Sequence, residues 1–272
     1  MRRLVKKAAK LLLPHRLFTT LQSIRSRNTQ WRNFQQLGIA RATRELADEF
    51  GLTVLGGPFR GMKYRRESLL RHDGIGLIFG TYEMELHGVV EEALSRSYDR
   101  ILDIGSAEGY YAVGLAMRTG AMVYAFECEP RERAHCRRMA RENAVQDRVR
   151  VSSWCSEETL RRTAVGRCLI LCDCEGFEVQ LFSPETVAAL GNCDLIIELH
   201  EFFEFSVHQL ILDSFRRTHE ARFIASDRYL RSPAVPQKWM EFSRESRDAH
   251  QEWVYLQARS KASASPERGL PG

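Results

Sequence analysis

The stretch from Arg100 to Arg118 reads RILDIGSAEGYYAVGLAMR, and its pattern changes twice along its length. A short apolar strand ends at Asp103, a turn of small residues runs from Gly105 to Gly109, and a helical pattern follows. Glycine has no side chain, so the backbone at 105 and 109 can approach a ligand closely. The helix N-terminus behind the turn offers unpaired N–H groups. The stretch therefore predicts a nucleotide-type binding loop between a strand and a helix.

Short apolar runs alternate with helical patterns from residue 100 onward. We predict strands at 101–104, 122–127, 149–153, 168–173, 194–199, 222–226 and 252–258. We predict helices near 107–118, 131–144, 178–190 and 205–218. This alternation is typical of a mostly parallel sheet with helices on both faces. Ligands of such sheets bind at the carboxyl ends of the strands, so the sequence predicts an α/β fold with its crevice at that edge.

The chain of 272 residues, with 44% hydrophobic and 28% charged residues, has the composition of a soluble globular protein. We divide it into a basic helical arm (1–50), an approach segment with short strands and a helix (51–99), a binding domain (100–258) and a tail (259–272) that is expected to be disordered. No apolar run reaches the roughly 18 residues of a membrane span, and no signal peptide is evident. The seven cysteines lack CxxC spacing, so we expect reduced thiols and a cytoplasmic location.

The charge is unevenly distributed along the chain. Residues 1–44 hold eleven Lys and Arg and no acid, whereas the remainder holds 29 basic and 35 acidic residues, a balance of −6. This arm is suited to contact an anionic membrane surface or another polyanion, which would place the protein peripherally at a membrane. Two alternatives stay open: an organelle transit peptide, and a helical arm packed on the domain with solvated charges. No obligate protein partner is indicated.

The glycine loop and the end of the following strand indicate which cofactor the site binds, a dinucleotide or another nucleoside. The dinucleotide pattern G-x-G-x-x-G fails at Ala107 and Tyr110. The pattern D-x-G-x-x-x-G, formed by Asp103, Gly105 and Gly109, instead suits S-adenosylmethionine (SAM). The residues predicted to bind this cofactor are Asp103, Gly105, Ser106, Gly109, Glu127, Ser153, Trp154 and Asp173. Among them the Glu127 carboxylate can accept hydrogen bonds from both ribose hydroxyls, and Trp154 or its neighbours can cover the adenine.

Four segments, ILDIGSAEGYYA, VYAFECEP, LILCDCEGFEVQLF and DLIIELHE, resemble the FkbM-type class I SAM-dependent methyltransferases. The resemblance covers about residues 79–200, and the D-x-E-G-x-E element from Asp173 to Glu178 is its most specific part. It implies a Rossmann-like sheet of seven strands whose last strand, at Trp253 to Ala258, is antiparallel. It also implies O-methylation of a small molecule or a sugar. The family often has a lysine two positions before the Asp, where this chain has Leu171.

Methyl transfer from a sulfonium needs an aligned acceptor and a group that removes its proton. Asp173 can orient the methionine amino group or the acceptor. His200 is the predicted base, because its ordinary pKa lies near neutrality. Glu175 is a further catalytic candidate. A divalent metal held by Asp173, Glu175, Glu198 and His200 is an alternative that the sequence does not favour.

The acceptor is predicted to contact Tyr82, Glu85, His87 and Glu198, with further walls from 201–208. A capped surface helix beginning at Thr81 explains the first three equally well. Two other functions stay open: a methyltransferase recruited to nucleic acid or protein by the arm, and a SAM-binding protein without catalytic activity. The chain has neither N-P-P-Y nor a Pro-Cys nucleophile of nucleic-acid methylation.

Overall fold

The computed structural model describes residues 38–69, 74–200, 207–225, 232–240, 242 and 252–259. Predictions for 1–37, for 201–206 and for 260–272 lie outside the described residues. No helix in the described ranges has the length and apolar content needed to cross a bilayer.

The described residues form ten α-helices, two 3₁₀ turns and seven strands. The helices are α1 (Ile39–Phe50), α2 (Arg66–Leu69), α3 (Gly74–Phe79), α4 (His87–Leu94), α5 (Tyr110–Arg118), α6 (Pro130–Glu142), α7 (Glu157–Thr163), α8 (Glu178–Leu181), α9 (Pro184–Ala189) and α10 (Val207–Phe215). The strands are β1 (Arg100–Ile104), β2 (Met122–Phe126), β3 (Val149–Ser152), β4 (Cys168–Cys172), β5 (Asp194–Leu199), β6 (His219–Ala225) and β7 (Glu252–Ala258). The 3₁₀ turns span Met84–Leu86 and Gln237–Trp239.

The seven strands form one sheet in the order β3-β2-β1-β4-β5-β7-β6. The first five strands are parallel, whereas β7 is antiparallel to both β5 and β6. The predicted fold class, a Rossmann-like sheet of the class I methyltransferase type, is confirmed. The register sets Asp103 opposite Ala125 on β2 and Leu171 on β4, so the first and fourth strands end side by side.

Side chains of β1 and β4 alternate between two hydrophobic clusters, one on each face of the sheet. Ile101, Leu169 and Leu171 belong to one cluster, and Leu102 and Ile170 belong to the other. Helices α1 and α3–α6 contribute to the first cluster, and α7–α10 contribute to the second. Because every residue of β4 is buried, its sequence is continuously apolar, as expected for a strand covered on both faces.

Part of the predicted element pattern is wrong in detail. The stretch 178–190 forms two short helices, because Ser183 caps a new helix that begins at Pro184. Helix α7 was not predicted, although Ser156 accepts a hydrogen bond from the Thr159 N–H and caps it. Thr81 does not cap a helix: its hydroxyl donates to the Gly76 carbonyl, and α4 begins six residues later.

The approach segment packs directly on the helix that follows the glycine loop. A Cβ on Gly114 of α5 would lie 2.4 Å from the Phe59 ring, so this ring packs directly on the backbone of α5. The Phe59 ring also meets Tyr110 edge-on at 5.0 Å. Tyr111 donates a hydrogen bond to Glu83. Residues before the first strand are therefore part of the same core as the binding loop.

Candidate functional site

The glycine loop is clamped between the ends of β2 and β4. The N–H groups of Gly105 and Ser106 both donate to the Phe126 carbonyl, at 2.8 and 3.0 Å. Gly105 has φ +92°, and a Cβ there would lie 1.6 Å from the Asp173 carbonyl oxygen. The turn is closed by a hydrogen bond of 2.8 Å from the Gly109 N–H to the Ser106 carbonyl. Glycine is required at 105 because the backbone of the next loop occupies the place of a side chain.

Asp103 is a buried acid beside this loop. The residue is 1% exposed, and neither carboxylate oxygen accepts a hydrogen bond of normal geometry from the described residues. Burial raises the pKa of Asp103 to about 8, although the backbone of Ala112 acts to lower it. The Ser106 hydroxyl is also buried without a partner in the described chain. Since buried polar groups are nearly always hydrogen-bonded, both groups have free capacity for a ligand.

Glu127 ends β2 and is tied to the loop through its side chain. Its Oε2 accepts the Ala107 N–H at 3.0 Å, and its Oε1 accepts the Glu129 N–H at 2.7 Å. Oε1 also accepts a hydrogen bond from the Cys128 thiol at 3.5 Å. A carboxylate offers about four acceptor positions, so at least one stays available for a hydroxyl donor. The backbone contacts orient this carboxylate toward the loop that it supports.

Strands β4 and β5 bring together the second set of predicted residues. His200 Nε2 lies 3.6 Å from Asp173 Oδ1, 3.6 Å from Glu198 Oε2 and 4.0 Å from Glu175 Oε2. On the other side of the ring, Nδ1 lies 3.0 Å from Glu178 Oε1. Glu198 is buried, whereas 78% of the Glu175 side chain is exposed.

The charge state of this cluster follows from its burial. Burial lowers the pKa of His200, but Glu178, Asp173 and Glu198 outweigh it and raise that pKa well above its usual value. Burial, with Asp173 adjacent, raises the pKa of Glu198 to about 10. This direction favours the imidazolium form of His200, whereas a general base has to be neutral, and the role of His200 as a base stays a prediction.

Trp154 and Ser153 follow β3 at the same edge. The Trp154 ring meets the Phe177 ring edge-on at 4.6 Å, which places it against the loop after β4. Ser153 is exposed. The predicted adenine-covering residue therefore lies next to the loop that carries Asp173.

The predicted acceptor-binding residues of the approach segment lie in one turn. The Tyr82 ring meets Tyr110, the first residue of α5, at 5.0 Å. His87 Nε2 lies 3.1 Å from the Tyr82 carbonyl, and Gly57 packs against the imidazole. Glu85 is half-buried in the same turn. Tyr82 is thus brought to the glycine loop, while the contacts of His87 are with the approach segment itself.

Of the predicted wall at 201–208, the structure describes Val207 and His208. His208 contacts the antiparallel strands. Its Nδ1 lies 2.9 Å from Glu252 of β7, and its ring stacks on Phe223 of β6 at 4.1 Å. These contacts hold α10 to the antiparallel strands.

Two acids near the site were not predicted to belong to it. Glu178 is fully buried and accepts the Cys174 N–H at 3.1 Å in addition to its contact with His200. Glu83 is buried, is hydrogen-bonded by Tyr111, and acts electrostatically on both Asp103 and Glu198. The acidic spacing 173, 175 and 178 is a signal that could have identified Glu178, and Glu83 stands among Tyr82, Glu85 and His87 in a stretch that the sequence suggests as a pocket wall.

No protein-family model matches the chain, and no curated protein matches it in sequence. Among solved structures it is similar to an rRNA methylase from Streptococcus thermophilus, with 12% identity, a TM-score of 0.45, and 65% of this chain and 97% of that chain covered. It is also similar to a SAM-dependent methyltransferase from Geobacter sulfurreducens in complex with S-adenosyl-L-homocysteine, with 16% identity, a TM-score of 0.42, and coverage of 65% and 91%. A third is geranyl diphosphate C-methyltransferase from Streptomyces coelicolor, with 14% identity, a TM-score of 0.44, and coverage of 68% and 81%. At these identities and scores, no substrate of these proteins is carried over to this chain.

Proposed function

We propose that this chain is a SAM-dependent methyltransferase. The observation that carries the proposal is the glycine loop held between Glu127 and Asp173, with the unpartnered side chains of Asp103 and Ser106 beside it. A cationic ligand that also carries hydroxyl groups satisfies all of these groups at once. SAM has a positively charged methionine end and a ribose with two hydroxyls, so its chemistry fits this set of residues.

Each residue at the loop has a distinct part in holding the cofactor. Asp103 neutralises the positive methionine end, and the absence of a side chain at Gly105 and Gly109 leaves the backbone accessible. Glu127 accepts from the ribose hydroxyls while its backbone partners keep it in place. Trp154 covers one face of the adenine.

We propose a hydroxyl as the acceptor, on a small molecule or a sugar, as in the FkbM-type family that the sequence resembles. Support comes from the three carboxylates at the ends of β4 and β5, Asp173, Glu175 and Glu198, because carboxylates accept hydrogen bonds from hydroxyl groups. Tyr82 lies against Tyr110, the first residue of α5, next to the glycine loop.

In the transfer step, the acceptor oxygen attacks the methyl carbon in line with the carbon–sulfur bond. The O–CH₃ bond forms, the S–CH₃ bond breaks, and the sulfonium becomes a neutral thioether. The hydroxyl proton passes to Asp173 or Glu175 and then to water. Holding donor and acceptor in line can contribute roughly 7–11 kcal/mol to lowering the barrier.

Calorimetry with S-adenosylhomocysteine and its 2′-deoxy analogue tests the cofactor site. We expect Glu127→Gln to weaken binding of the natural ligand by about tenfold or more, since a charge-assisted hydrogen bond contributes roughly 1.5–3 kcal/mol. The variant should lose much less affinity for the 2′-deoxy analogue. Glu158→Gln, at an exposed residue of α7, is the matched control.

Two results would contradict the proposal. Absence of binding at millimolar ligand removes the cofactor site altogether. Binding without turnover, tested by mass spectrometry of an extract with labelled SAM, favours the alternative of a non-catalytic SAM-binding protein.

A further inference from the structure

The ends of β4 and β5 place one imidazole nitrogen and two carboxylate oxygens around a common point. The ligand atoms of Asp173, Glu198 and His200 all lie within 4.8 Å of one another. The two distances from His200 Nε2, 3.6 Å each, exceed those of N–H···O hydrogen bonds. Two ligands that share one ion at about 2.0–2.2 Å lie about 3.0–3.6 Å apart. The two distances from His200 are therefore those of ligands that share an ion.

The imidazole is oriented from behind by a buried carboxylate. Glu178, at the start of α8, is fully buried, and its Oε1 lies 3.0 Å from His200 Nδ1. The Cys174 N–H donates to the same oxygen and fixes it. Histidines that bind metals commonly donate their other ring N–H to such a carboxylate. With Nδ1 as the donor, Nε2 points toward Asp173 and Glu198, and a cation bound there takes the place of the Nε2 proton.

The cluster holds three acidic groups, Asp173, Glu178 and Glu198, and one imidazole. In the described part of the chain, no Lys or Arg forms an ion pair with Asp173, Glu178 or Glu198. Asp173 Oδ1 is buried and accepts no hydrogen bond from the described residues. The side chain of Glu198 is 5% exposed. Carboxylates in such a place need a counter-charge, and the described residues supply only His200.

We propose that Asp173, Glu198 and His200 bind a divalent cation such as Mn²⁺, which accepts both carboxylate oxygens and imidazole nitrogen. Glu175 is not part of the set, because most of its side chain is exposed. Binding of the ion does not depend on the proposed methyl transfer, but its role rests on that proposal. A bound cation holds the acceptor hydroxyl and favours loss of its proton to water, after which the same O–CH₃ bond forms and the same S–CH₃ bond breaks.

Titration of the metal-free full-length chain with Mn²⁺, followed by electron paramagnetic resonance without SAM, tests the site. We expect one tight site, weakened about tenfold or more by Glu198→Gln and by Asp173→Asn. Glu185→Gln, at an exposed residue of α9, should leave it unchanged. Two results overturn the proposal. One is that the unaltered chain does not bind Mn²⁺ stoichiometrically up to about 1 mM free ion. The other is that Glu198→Gln and Asp173→Asn bind Mn²⁺ as tightly as the unaltered chain.

A spectroscopic measurement on the unaltered chain covers the case in which the variants fail to fold. Electron spin echo modulation of bound Mn²⁺ should show coupling to a nitrogen nucleus, which His200 supplies. Tight Mn²⁺ binding without nitrogen coupling overturns the assignment of this site.

Titration with S-adenosylhomocysteine in the presence of a chelator separates the two proposals. Cofactor binding without any Mn²⁺ site overturns the cation site and leaves the methyltransferase proposal intact. A Mn²⁺ site without cofactor binding overturns the methyltransferase proposal and leaves the cation site intact.

Discussion

At the scale of single residues, Asp103 connects protonation to binding. Its carboxyl group is buried without a hydrogen-bond partner of normal geometry among the described residues, and its pKa is raised to about 8. The folded chain therefore holds a proton on Asp103 between about pH 4 and 8, where the unfolded chain has released it. Stability from this group falls as pH rises through that window.

Asp103→Asn should remove this pH dependence, because an amide does not titrate. We expect the cofactor-free variant to gain roughly 2–5 kcal/mol relative to the parent between pH 5 and 8. Urea unfolding at several pH values measures the difference. If the free energies of unfolding of the two proteins changed with pH in parallel, the raised pKa of the buried Asp103 would be contradicted.

Asp103 should also make cofactor affinity depend on pH. Affinity should rise with pH, whereas the stability contributed by Asp103 falls. The ionised carboxylate attracts the α-ammonium group, which S-adenosylhomocysteine shares with SAM, so affinity for S-adenosylhomocysteine should rise with pH up to about 8 and then level off. Asp103→Asn should bind more weakly and show no such rise. Calorimetry from pH 6 to 9 checks both points, and a flat profile for the parent chain would exclude Asp103 from the binding site.

Gly105 is the position where the backbones of two loops touch. Gly105→Ala should destabilise the chain by about 3 kcal/mol or more, because the residue has φ +92° and the added Cβ would meet the Asp173 carbonyl. The measurement is thermal unfolding together with cofactor binding.

Gly88→Ala is the matched control for this substitution. Gly88 lies in α4, and nothing would lie within 4 Å of its added Cβ. Alanine there should stabilise the chain by about 0.5–1 kcal/mol. If alanine reduced stability by similar amounts at Gly105 and Gly88, the contact between Gly105 and the Asp173 carbonyl would not be the cause of the loss at Gly105.

At the scale of elements, Asp194 is the first residue of β5 and connects this strand to its neighbours. Its Oδ1 accepts the Ala258 N–H at the end of β7, at 2.9 Å, and its Oδ2 accepts the Tyr98 hydroxyl at 2.7 Å. Arg96 and Arg167 lie 3.6 and 3.4 Å from the same carboxylate. One fully buried side chain therefore ties together β5, β7 and the chain leading into β1.

Asp194→Asn should cost about 2–4 kcal/mol, because it removes the charge that the two arginines face in a buried place. Asp213→Asn on α10 is the control, since that residue is largely exposed and its ion pair with Arg216 is long. The control should change stability by less than about 0.5 kcal/mol. Urea unfolding compares the two, and equal effects would contradict the bridging role of Asp194.

The strands were predictable because each is a short apolar run, and the fully buried β4 is the clearest case. Strand β6 begins at His219 rather than at 222 because its pairing with β7 extends over His219, Glu220 and Ala221, which have no strand signature in the sequence. The convergence of Asp103, Glu127 and Asp173 followed from the parallel sheet alone. The contacts of Glu83 and Glu178 could not be predicted, because they depend on how separate elements pack.

At the scale of the whole molecule, the positive charge of residues 1–44 contrasts with the acidic remainder. Deleting residues 2–37 removes nine of the eleven basic residues of the arm but keeps α1, whose Leu46 is fully buried. We expect the deletion to abolish binding to anionic vesicles, where each basic residue contributes about 1 kcal/mol, and to leave cofactor affinity unchanged. Co-sedimentation and calorimetry measure the two effects, and vesicle binding that survives the deletion would contradict a role for the arm.

The order of the strands has a consequence for the nascent chain. Strand β5 pairs with β7, yet Leu199 and Glu252 are 53 positions apart in the sequence. At about 5–20 residues per second of synthesis, the apolar edge of β5 waits roughly 3–10 seconds for its partner. Open strand edges of this kind are templates for aggregation, so the yield of this protein in cells should depend on translation speed and on chaperones that cover β5 until β7 emerges.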